Sequence, residues 1–340
     1  MKYVHILNRF LNHKGFTTLE SKKIMDRIIG GEFTDAQVSA LLIALRMKGE
    51  TINELTGMAQ SMLSYATTIK PKADNIVDTC GTGGDLASTF NISTISAIVA
   101  AASGATVAKH GNRSVSSHCG SADLLETLGV NINLTPEKVK ECIDEVGIGF
   151  IFAPVFHKAM KNVASIRKEI ATRTIFNILG PLTNPAGATH QIVGVYDEKY
   201  TNILAQVLRN LRINRAMVVH ADDGLDEITI SGPTKISEIT DQGRITTYKI
   251  TPADFGLQTG SKADLVTGDL PDNVTATEMI LDGQDIGSRR DTVLLNAGAV
   301  IYLSGITDTF QDGVKKAKDS IESGIAKKKL QDLIDFTTSC

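Results

Sequence analysis

Residues 77–85 contain three closely spaced glycines, Gly81, Gly83 and Gly84, which follow a short apolar strand that includes Ile76 and Val77. A strand, a glycine turn and a helix start expose backbone N–H groups that can bind an anion. The spacing is not that of a Walker loop, because no Gly-Lys-Ser/Thr follows. It is not the dinucleotide fingerprint either, because Leu86 stands where a third glycine is needed. The stretch therefore predicts an anion-binding loop of neither common type.

Hydroxyl and amide side chains follow this loop at the predicted start of a helix. Asn91, Ser93 and Thr94 can bind a phosphate or metal-bound water there. The same residue types also cap helices, and capping is the better interpretation of these three residues taken alone.

A second polar stretch, residues 109–117, follows the next predicted strand. Lys109 and Arg113 supply positive charge, and amide and hydroxyl side chains supply hydrogen-bond donors. Open α/β sheets bind ligands at the carboxyl ends of their strands. A solvated polar loop is the alternative, but two such loops after neighbouring strands favour a ligand with phosphate at both ends.

An acidic stretch occupies residues 222–227 after a later strand. Asp226 and Glu227, or the pair Asp222 and Asp223, could hold Mg²⁺, often through water. An ordinary Asp-Gly turn is the better interpretation of this stretch alone. The Thr-Gly phosphate turn of common phosphoribosyltransferases does not follow Asp222 and Asp223.

Arg167 lies in a predicted helical insert beside the sheet, ten residues after His157. A guanidinium group at such a place can bind a carboxylate through two parallel hydrogen bonds. A surface ion pair is the commoner role of an arginine.

Composition limits the class of protein. The chain has 340 residues, is 42% hydrophobic and 21% charged, and carries a net charge of −3, so no basic excess favours nucleic acid. Its four cysteines show no metal-binding spacing and fit free thiols in a reducing cytoplasm. The N-terminus does not resemble a signal peptide, and no apolar run is long enough for a membrane span.

The pattern of elements changes near residue 70. The first 66 residues predict helices, three of them begun by capping boxes at Thr17, Thr34 and Thr51. Strand–helix alternation follows and predicts a mostly parallel sheet with helices on both faces. Residues 228–250 predict a β-rich excursion. We therefore expect an α/β protein with a small helical domain at 1–70, joined by a hinge, and a large α/β domain at 71–340. A helical insert at about 165–185 should pack on the helical domain.

These motifs together resemble those of the anthranilate phosphoribosyltransferases. The matching stretches span nearly the whole chain in the family's order: 78–85, 91–94, 109–117, 120–123, 173–185 and 226–227. The resemblance implies transfer of the phosphoribosyl group from phosphoribosyl pyrophosphate to anthranilate, in the second step of tryptophan biosynthesis. It also implies the nucleoside phosphorylase type of fold, two Mg²⁺ ions per monomer, a cytoplasmic homodimer formed through the helical domain, and no nucleic-acid or membrane partner.

The resemblance also implies residue roles, and no catalytic acid or base is among them. Gly81, Asn112 and Arg167 correspond to anthranilate contacts, with His110 and His157 nearby. Ser93, Asp226 and Glu227 correspond to Mg²⁺ contacts. The residues that correspond to the phosphoribosyl pyrophosphate site are Gly81, Gly84, Asp85, Thr89, Asn91, Ile92, Ser93, Thr94, Lys109, His110, Gly111, Asn112, Arg113, Ser114, Val115, Ser116, Ser117 and Ser121.

Three departures from the family pattern occur, and none removes a matched ligand residue. His118-Cys119, Lys158 and Ala171-Thr172 stand where a Lys-Ser-like pair, proline and Gly-Ile are more usual. Two other functions are compatible with the same fold: a pyrimidine nucleoside phosphorylase, and a nucleic-acid-binding relative without enzymatic activity. The first should lack the stretches 91–94 and 173–185, and the second should be basic.

Overall fold

The computed structural model describes residues 1–83, 88–113 and 119–340. Its first part is helical, as the sequence predicts. The hydroxyls of Thr17, Thr34 and Thr51 each accept a hydrogen bond from the backbone three residues on, and the predicted capping boxes are complete. The helices are α1 (Tyr3–Leu11), α2 (Thr18–Ile29), α3 (Asp35–Lys48) and α4 (Ile52–Tyr65).

A seven-stranded sheet forms the centre of the rest of the described chain. Its spatial order is β3-β2-β1-β4-β5-β6-β7. The first five strands in that order are parallel, and β6 and β7 add an antiparallel edge where the sequence predicts the β-rich excursion. The strands are β1 (Ile76–Gly81), β2 (Thr106–Gly111), β3 (Ile148–Phe152), β4 (His190–Gly194), β5 (Arg215–Ala221), β6 (Thr234–Ile239) and β7 (Ile245–Ile250).

Alternate residues of the central strands face two different cores. Ile192 and Met217 pack on one side with the helices that follow the strands, whereas Val193 and Val218 pack on the other with the N-terminal helices. This alternation is the period of two that a strand buried on both faces requires. The remaining helices longer than six residues are α5 (Ile92–Ala102), α6 (Ser121–Thr127), α7 (Pro136–Val146), α9 (Lys161–Ile170), α11 (Tyr200–Asn210), α12 (Leu270–Leu281), α13 (Ser288–Leu303), α14 (Phe310–Glu322) and α15 (Ile325–Thr338).

An insert between β3 and β4 lies beside the N-terminal helices. It consists of the short helix α8 (Ala153–Phe156), then α9, and the short helix α10 (Ile175–Leu179). Val163 and Phe176 share the apolar core of α3 and α4. The insert therefore begins at the end of β3 and packs against the N-terminal helices.

Two strands are longer than the sequence predicts. The sequence pattern predicts strands that end at Thr79 and Lys109, but β1 and β2 continue to Gly81 and Gly111. Gly81 pairs with Gly194 of β4, so the first glycine of the loop belongs to the sheet. Within the described ranges, no helix is long and apolar enough to cross a membrane.

Candidate active site

Two cavities meet at the carboxyl ends of β1 and β2. The sheet-end cavity, of about 370 Å³, is lined by the strand-end loops and by Asp226 and Glu227. The insert cavity, of about 500 Å³, is lined mainly by α8–α10 and the segments that join them. Both volumes are in the range of small-molecule sites. Gly81 and Asn112 line both cavities, so a ligand in one can meet a ligand in the other there.

The glycine loop packs directly against an acidic side chain. A Cβ atom added at Gly81 would overlap the carboxylate of Asp226, so any larger residue here would have to displace that carboxylate. The Gly83 N–H donates to Asp226 Oδ2 at 2.8 Å, from a backbone with φ of +65°. Gly84 and Asp85 lie outside the described residues.

The acidic stretch divides into two parts with different roles. Asp222 pairs with Lys249 at 2.8 Å, and Asp223 accepts a hydrogen bond from Thr229 at 2.7 Å, so these two belong to an Asp-Gly turn. Asp226, which is 8% exposed, and Glu227 line the sheet-end cavity. The structure thus places the second acidic pair in the cavity wall.

The start of α5 forms the opposite wall of the sheet-end cavity. Asn91 stands at the N-cap, but its side chain makes no capping hydrogen bond. Its Nδ2 donates to the Cys119 carbonyl at 3.3 Å, and its buried Oδ1 has no hydrogen-bond partner in the described part of the chain. Ile92 and Ser93 line the cavity, whereas Thr94 is buried and lines neither cavity. The capping interpretation therefore fails for Asn91.

Lys109 lies almost fully buried beneath the same wall, and its Nζ donates to the Thr79 carbonyl at 2.7 Å and to Ser93 Oγ at 3.2 Å. Burial lowers the pKa of Lys109. Asp78 is completely buried nearby, accepts the His110 N–H at 3.1 Å, and has its pKa raised by burial. Lys109 therefore positions the Ser93 hydroxyl from below.

The second polar stretch is described only in part. Its first residues, Lys109 to Arg113, line the sheet-end cavity, as do Thr89 and Ser121. The Arg113 guanidinium pairs with Asp123 at 2.9 Å and Glu126 at 2.8 Å, and these hydrogen bonds raise its pKa. The predicted contacts Ser114, Val115, Ser116 and Ser117, and the departure His118, lie outside the described residues.

The insert cavity is lined by two histidines, His110 and His157, and by two arginines, Arg113 and Arg167. The rings of His110 and His157 are 5.1 Å apart, and His157 Nε2 lies 3.1 Å from the Thr183 carbonyl oxygen. Burial lowers the pKa of His110 to about 3, with a contribution from the charge of His157, and that of His157 to about 4. Both rings are therefore neutral at physiological pH.

Arg167 lines the insert cavity, with its guanidinium carbon 5.5 Å from the centroid of Phe176. Partial burial lowers its pKa. Across residues 1–83, 88–113 and 119–340, no carboxylate lies within ion-pair distance of it. The surface ion-pair alternative is therefore not observed there. Lys158, where the family more often has proline, also lines this cavity.

Sequence reasoning did not assign several residues that line the cavities. Arg173 lines the sheet-end cavity and Asn177 lines both. Both lie in the stretch 173–185 that resembles the family, and this resemblance was the signal that could have identified them. Asn273 of α12 also contributes, and its Oδ1 accepts the Asn91 N–H at 3.2 Å. No motif pointed to Asn273, because α12 is distant in sequence.

The oxygen donors of the sheet-end cavity fit Mg²⁺. The described residues contain no group of three His, Cys, Asp or Glu side chains that could hold a metal ion by itself. Mg²⁺ in phosphate-transfer sites usually takes one or two carboxylates and completes its shell with water and substrate phosphates. Asp226, Glu227 and the Ser93 hydroxyl line one cavity and supply donors of this kind.

Comparison with known proteins defines the class of protein to which the chain belongs. Residues 4–66 match the helical bundle domain of a glycosyl transferase family, and residues 73–327 match the a/b domain of a glycosyl transferase family. The chain is 48% identical over 333 residues to an anthranilate phosphoribosyltransferase of Acetivibrio thermocellus, covering 98% of this chain and 96% of the relative.

Solved structures agree with this class. The anthranilate phosphoribosyltransferase of Thermus thermophilus superposes with a TM-score of 0.92 at 38% identity, covering 98% of this chain and 99% of that chain. The enzyme of Saccharomyces cerevisiae in complex with PRPP and Mg gives a TM-score of 0.90 at 27% identity, covering 99% of this chain and 98% of that chain. The chain belongs to the anthranilate phosphoribosyltransferase family.

The buried histidines predict a specific pH dependence of stability. Their folded-state pKa values lie below the ordinary 6.5, so between about pH 6.5 and 4 the unfolded chain binds protons that the folded chain does not. Stability should therefore fall as the pH falls through this window. His157→Gln removes one such group and should reduce the loss between pH 7 and pH 5 by about 1–2 kcal/mol, as measured by urea unfolding.

His5→Gln, at an exposed histidine of α1, provides the matched control and should leave the wild-type pH dependence unchanged. Parallel stability curves for His157→Gln and the wild type would contradict the assignment of a buried neutral ring.

Proposed function

We propose that this chain transfers the 5-phosphoribosyl group of phosphoribosyl pyrophosphate to the amine of anthranilate. The products are N-(5-phosphoribosyl)anthranilate and pyrophosphate, and the reaction is the second step of tryptophan biosynthesis. The observation that carries the proposal is the meeting of two unlike cavities at Gly81 and Asn112. One has an acidic pair and strand-end loops suited to phosphate, and the other has an arginine suited to a carboxylate.

The sheet-end cavity is the proposed donor site. Backbone N–H groups at Gly84 and Asp85 and the side chains of Asn91 and Ser93 would bind the pyrophosphate end. Residues 109–117 and Ser121 would bind the rest of the donor, together with Thr89. Lys109 is too buried for a flexible surface contact, and its role here is to hold the Ser93 hydroxyl and add positive charge beneath the wall.

Ser93, Asp226 and Glu227 are the proposed magnesium ligands, and we propose two ions per monomer. When bound, Mg²⁺ supplies positive charge that offsets the charge of the pyrophosphate leaving group. The yeast relative, whose structure contains PRPP and Mg, supports Mg²⁺ as the metal. The contribution of the chain is to fix the Asp226 carboxylate against the Gly83 N–H.

The insert cavity is the proposed acceptor site. Arg167 would bind the carboxylate of anthranilate and turn the amine toward the donor carbon at the junction by Gly81 and Asn112. His110 and His157 would contact the ring as neutral groups, because burial keeps both pKa values far below 7.

The chemistry needs positioning more than acid–base groups. The bond between C1 and the pyrophosphate oxygen breaks, a bond between C1 and the amine nitrogen forms, and the amine then releases a proton. An aryl amine is neutral at pH 7, so it can attack without a base to activate it. Catalysis would therefore come from orientation and from electrostatic stabilisation of the leaving group.

The two alternative functions are not favoured. A pyrimidine nucleoside phosphorylase should lack the stretches 91–94 and 173–185, which this chain retains. A nucleic-acid-binding relative should carry a basic excess, whereas the net charge is −3.

The loss of anthranilate fluorescence tests the proposed function directly. The purified chain should consume anthranilate only when both phosphoribosyl pyrophosphate and Mg²⁺ are present. Loss of signal without the donor, or no loss with all three components, would refute the proposal.

Arg167→Ala should raise the KM for anthranilate by about 10- to 100-fold, because it removes a charge-assisted contact to the carboxylate. The KM for phosphoribosyl pyrophosphate should change far less. Lys168→Ala, at the next and exposed position, is the control and should leave both constants unchanged. Equal effects of Arg167→Ala on both substrates would remove Arg167 from the acceptor site.

The double variant Asp226→Asn, Glu227→Gln should raise the Mg²⁺ concentration needed for half-maximal activity by about 10-fold or more, because two anionic ligands become neutral. The substitutions preserve side-chain shape and hence the packing against Gly81. Asp222→Asn, which affects only the turn and its pair with Lys249, should keep the wild-type metal dependence. An unchanged dependence in the double variant would exclude the pair as ligands.

We also propose a cytoplasmic homodimer formed through the N-terminal helices. Val4 and Leu11 of α1 are 62% and 58% exposed and lie two helical turns apart on one face. Sedimentation should give a dimer for the wild type and a monomer for Val4→Glu, Leu11→Glu. Ile286→Glu, at an apolar residue exposed elsewhere, should remain dimeric; a wild-type monomer would refute this assembly.

A further inference from the structure

Three cationic side chains line the described part of the sheet-end cavity: Lys109, Arg113 and Arg173. Two of them have partners within the protein. Lys109 is buried and donates to Thr79 and Ser93, and Arg113 pairs with two carboxylates of α6. Across the described ranges, no carboxylate lies within ion-pair distance of Arg173. Of these three cationic side chains, Arg173 is therefore the one whose charge no described acidic group neutralises.

The backbone at Arg173 is held from both sides. Arg46 of α3 donates to the Arg173 carbonyl and to the Thr172 hydroxyl. On the other side, the Thr174 N–H donates to Asn177 Oδ1 at 3.0 Å at the start of α10. These bonds fix the point from which the Arg173 side chain extends.

The guanidinium group is held as well. Its carbon lies 4.1 Å from the ring centroid of Tyr196. The Tyr196 N–H donates to Thr82 Oγ1 at 3.2 Å, and the Thr82 N–H donates to the Gly194 carbonyl at 2.9 Å. Tyr196 is thus anchored to the glycine loop, and an arginine lying on an aromatic face keeps the N–H groups at its edge available.

We propose that Arg173 is a further substrate-binding residue, which binds a phosphate group of the donor in the sheet-end cavity. The inference rests on the proposed function and deepens it. A planar guanidinium group binds phosphate oxygens through two parallel hydrogen bonds. Because the side chain is already ordered by Tyr196 and its backbone by Arg46, little conformational freedom is lost on binding.

Arg167 and Arg173 then have separate ligands. Arg167 lines only the insert cavity, and Arg173 lines only the sheet-end cavity. Arg167 binds the carboxylate of the acceptor, and Arg173 binds a phosphate of the donor. Either end of the donor supplies that phosphate: the pyrophosphate or the 5-phosphate.

Steady-state kinetics of Arg173→Gln, Arg173→Lys and Arg167→Gln test this division. Arg173→Gln should raise the donor KM by about 10- to 100-fold with little change in the anthranilate KM, and Arg167→Gln should do the reverse. Arg173→Lys retains the charge without the planar pair of donors, so its effect should be intermediate. Arg209→Gln, at an exposed position on α11, should match the wild type.

Calorimetry without turnover identifies the phosphate. Inorganic pyrophosphate with Mg²⁺, and ribose 5-phosphate, are titrated into the wild type and Arg173→Gln. Loss of affinity for one of them assigns Arg173 to that end of the donor. Unchanged affinity for both, together with an unchanged donor KM, overturns the proposal, as do equal effects on the two substrate KM values.

Further results distinguish a failure of this inference from a failure of the proposed function. If thermal unfolding shows that Arg173→Gln is not folded, Tyr196→Leu replaces it in the test. Tyr196→Leu removes the aromatic face that orders Arg173, so it should weaken donor binding. Unchanged donor binding in that variant overturns the inference. A wild type that consumes no anthranilate but binds pyrophosphate in an Arg173-dependent way refutes the proposed function alone. A fully active Arg173→Gln refutes the inference alone.

Discussion

The contact between Asp226 and the glycine loop is the constraint on which the rest of the site depends. Gly81 and Gly194 are paired neighbours on β1 and β4. A Cβ atom at Gly194 would overlap the Asp226 backbone, and one at Gly81 would displace the Asp226 carboxylate. The Gly83 N–H then donates to the carboxylate. An acidic group and an anion-binding loop are thereby held together although they lie far apart in the sequence. Such an arrangement suits a ligand that combines phosphate with a divalent cation.

Buried charge supports this wall from beneath. Asp78 and Lys109 lie under the loop ends, where burial disfavours both charged forms and so raises the pKa of the carboxyl group and lowers that of the amine. Their hydrogen bonds reach outward to the His110 backbone and the Ser93 hydroxyl. This layer orders groups that face the cavity without using surface side chains, which would lose more freedom on binding.

The insert connects the two halves of the site. Its helices pack on the N-terminal bundle while His157, Arg167 and Asn177 line the cavities, so the bundle and the sheet together shape the acceptor side. Arg46 extends this link, because it reaches from α3 to the backbone beside Arg173. The bundle therefore contacts segments that line both cavities.

Local physics was sufficient to predict much of this protein from its sequence. Capping boxes, glycine turns and the change from helical to strand–helix alternation depend on neighbours in the chain, and the motif order pointed to the family. The acidic stretch taken alone left both pairs open, and the family resemblance selected Asp226 and Glu227. Tertiary structure supplied the physical reason, because it places Asp226 and Glu227 in the cavity wall and pairs Asp222 with Lys249 and Asp223 with Thr229. It also brought Asn273 and Arg173 to the cavity wall. Such choices depend on contacts between distant segments, which no local pattern encodes.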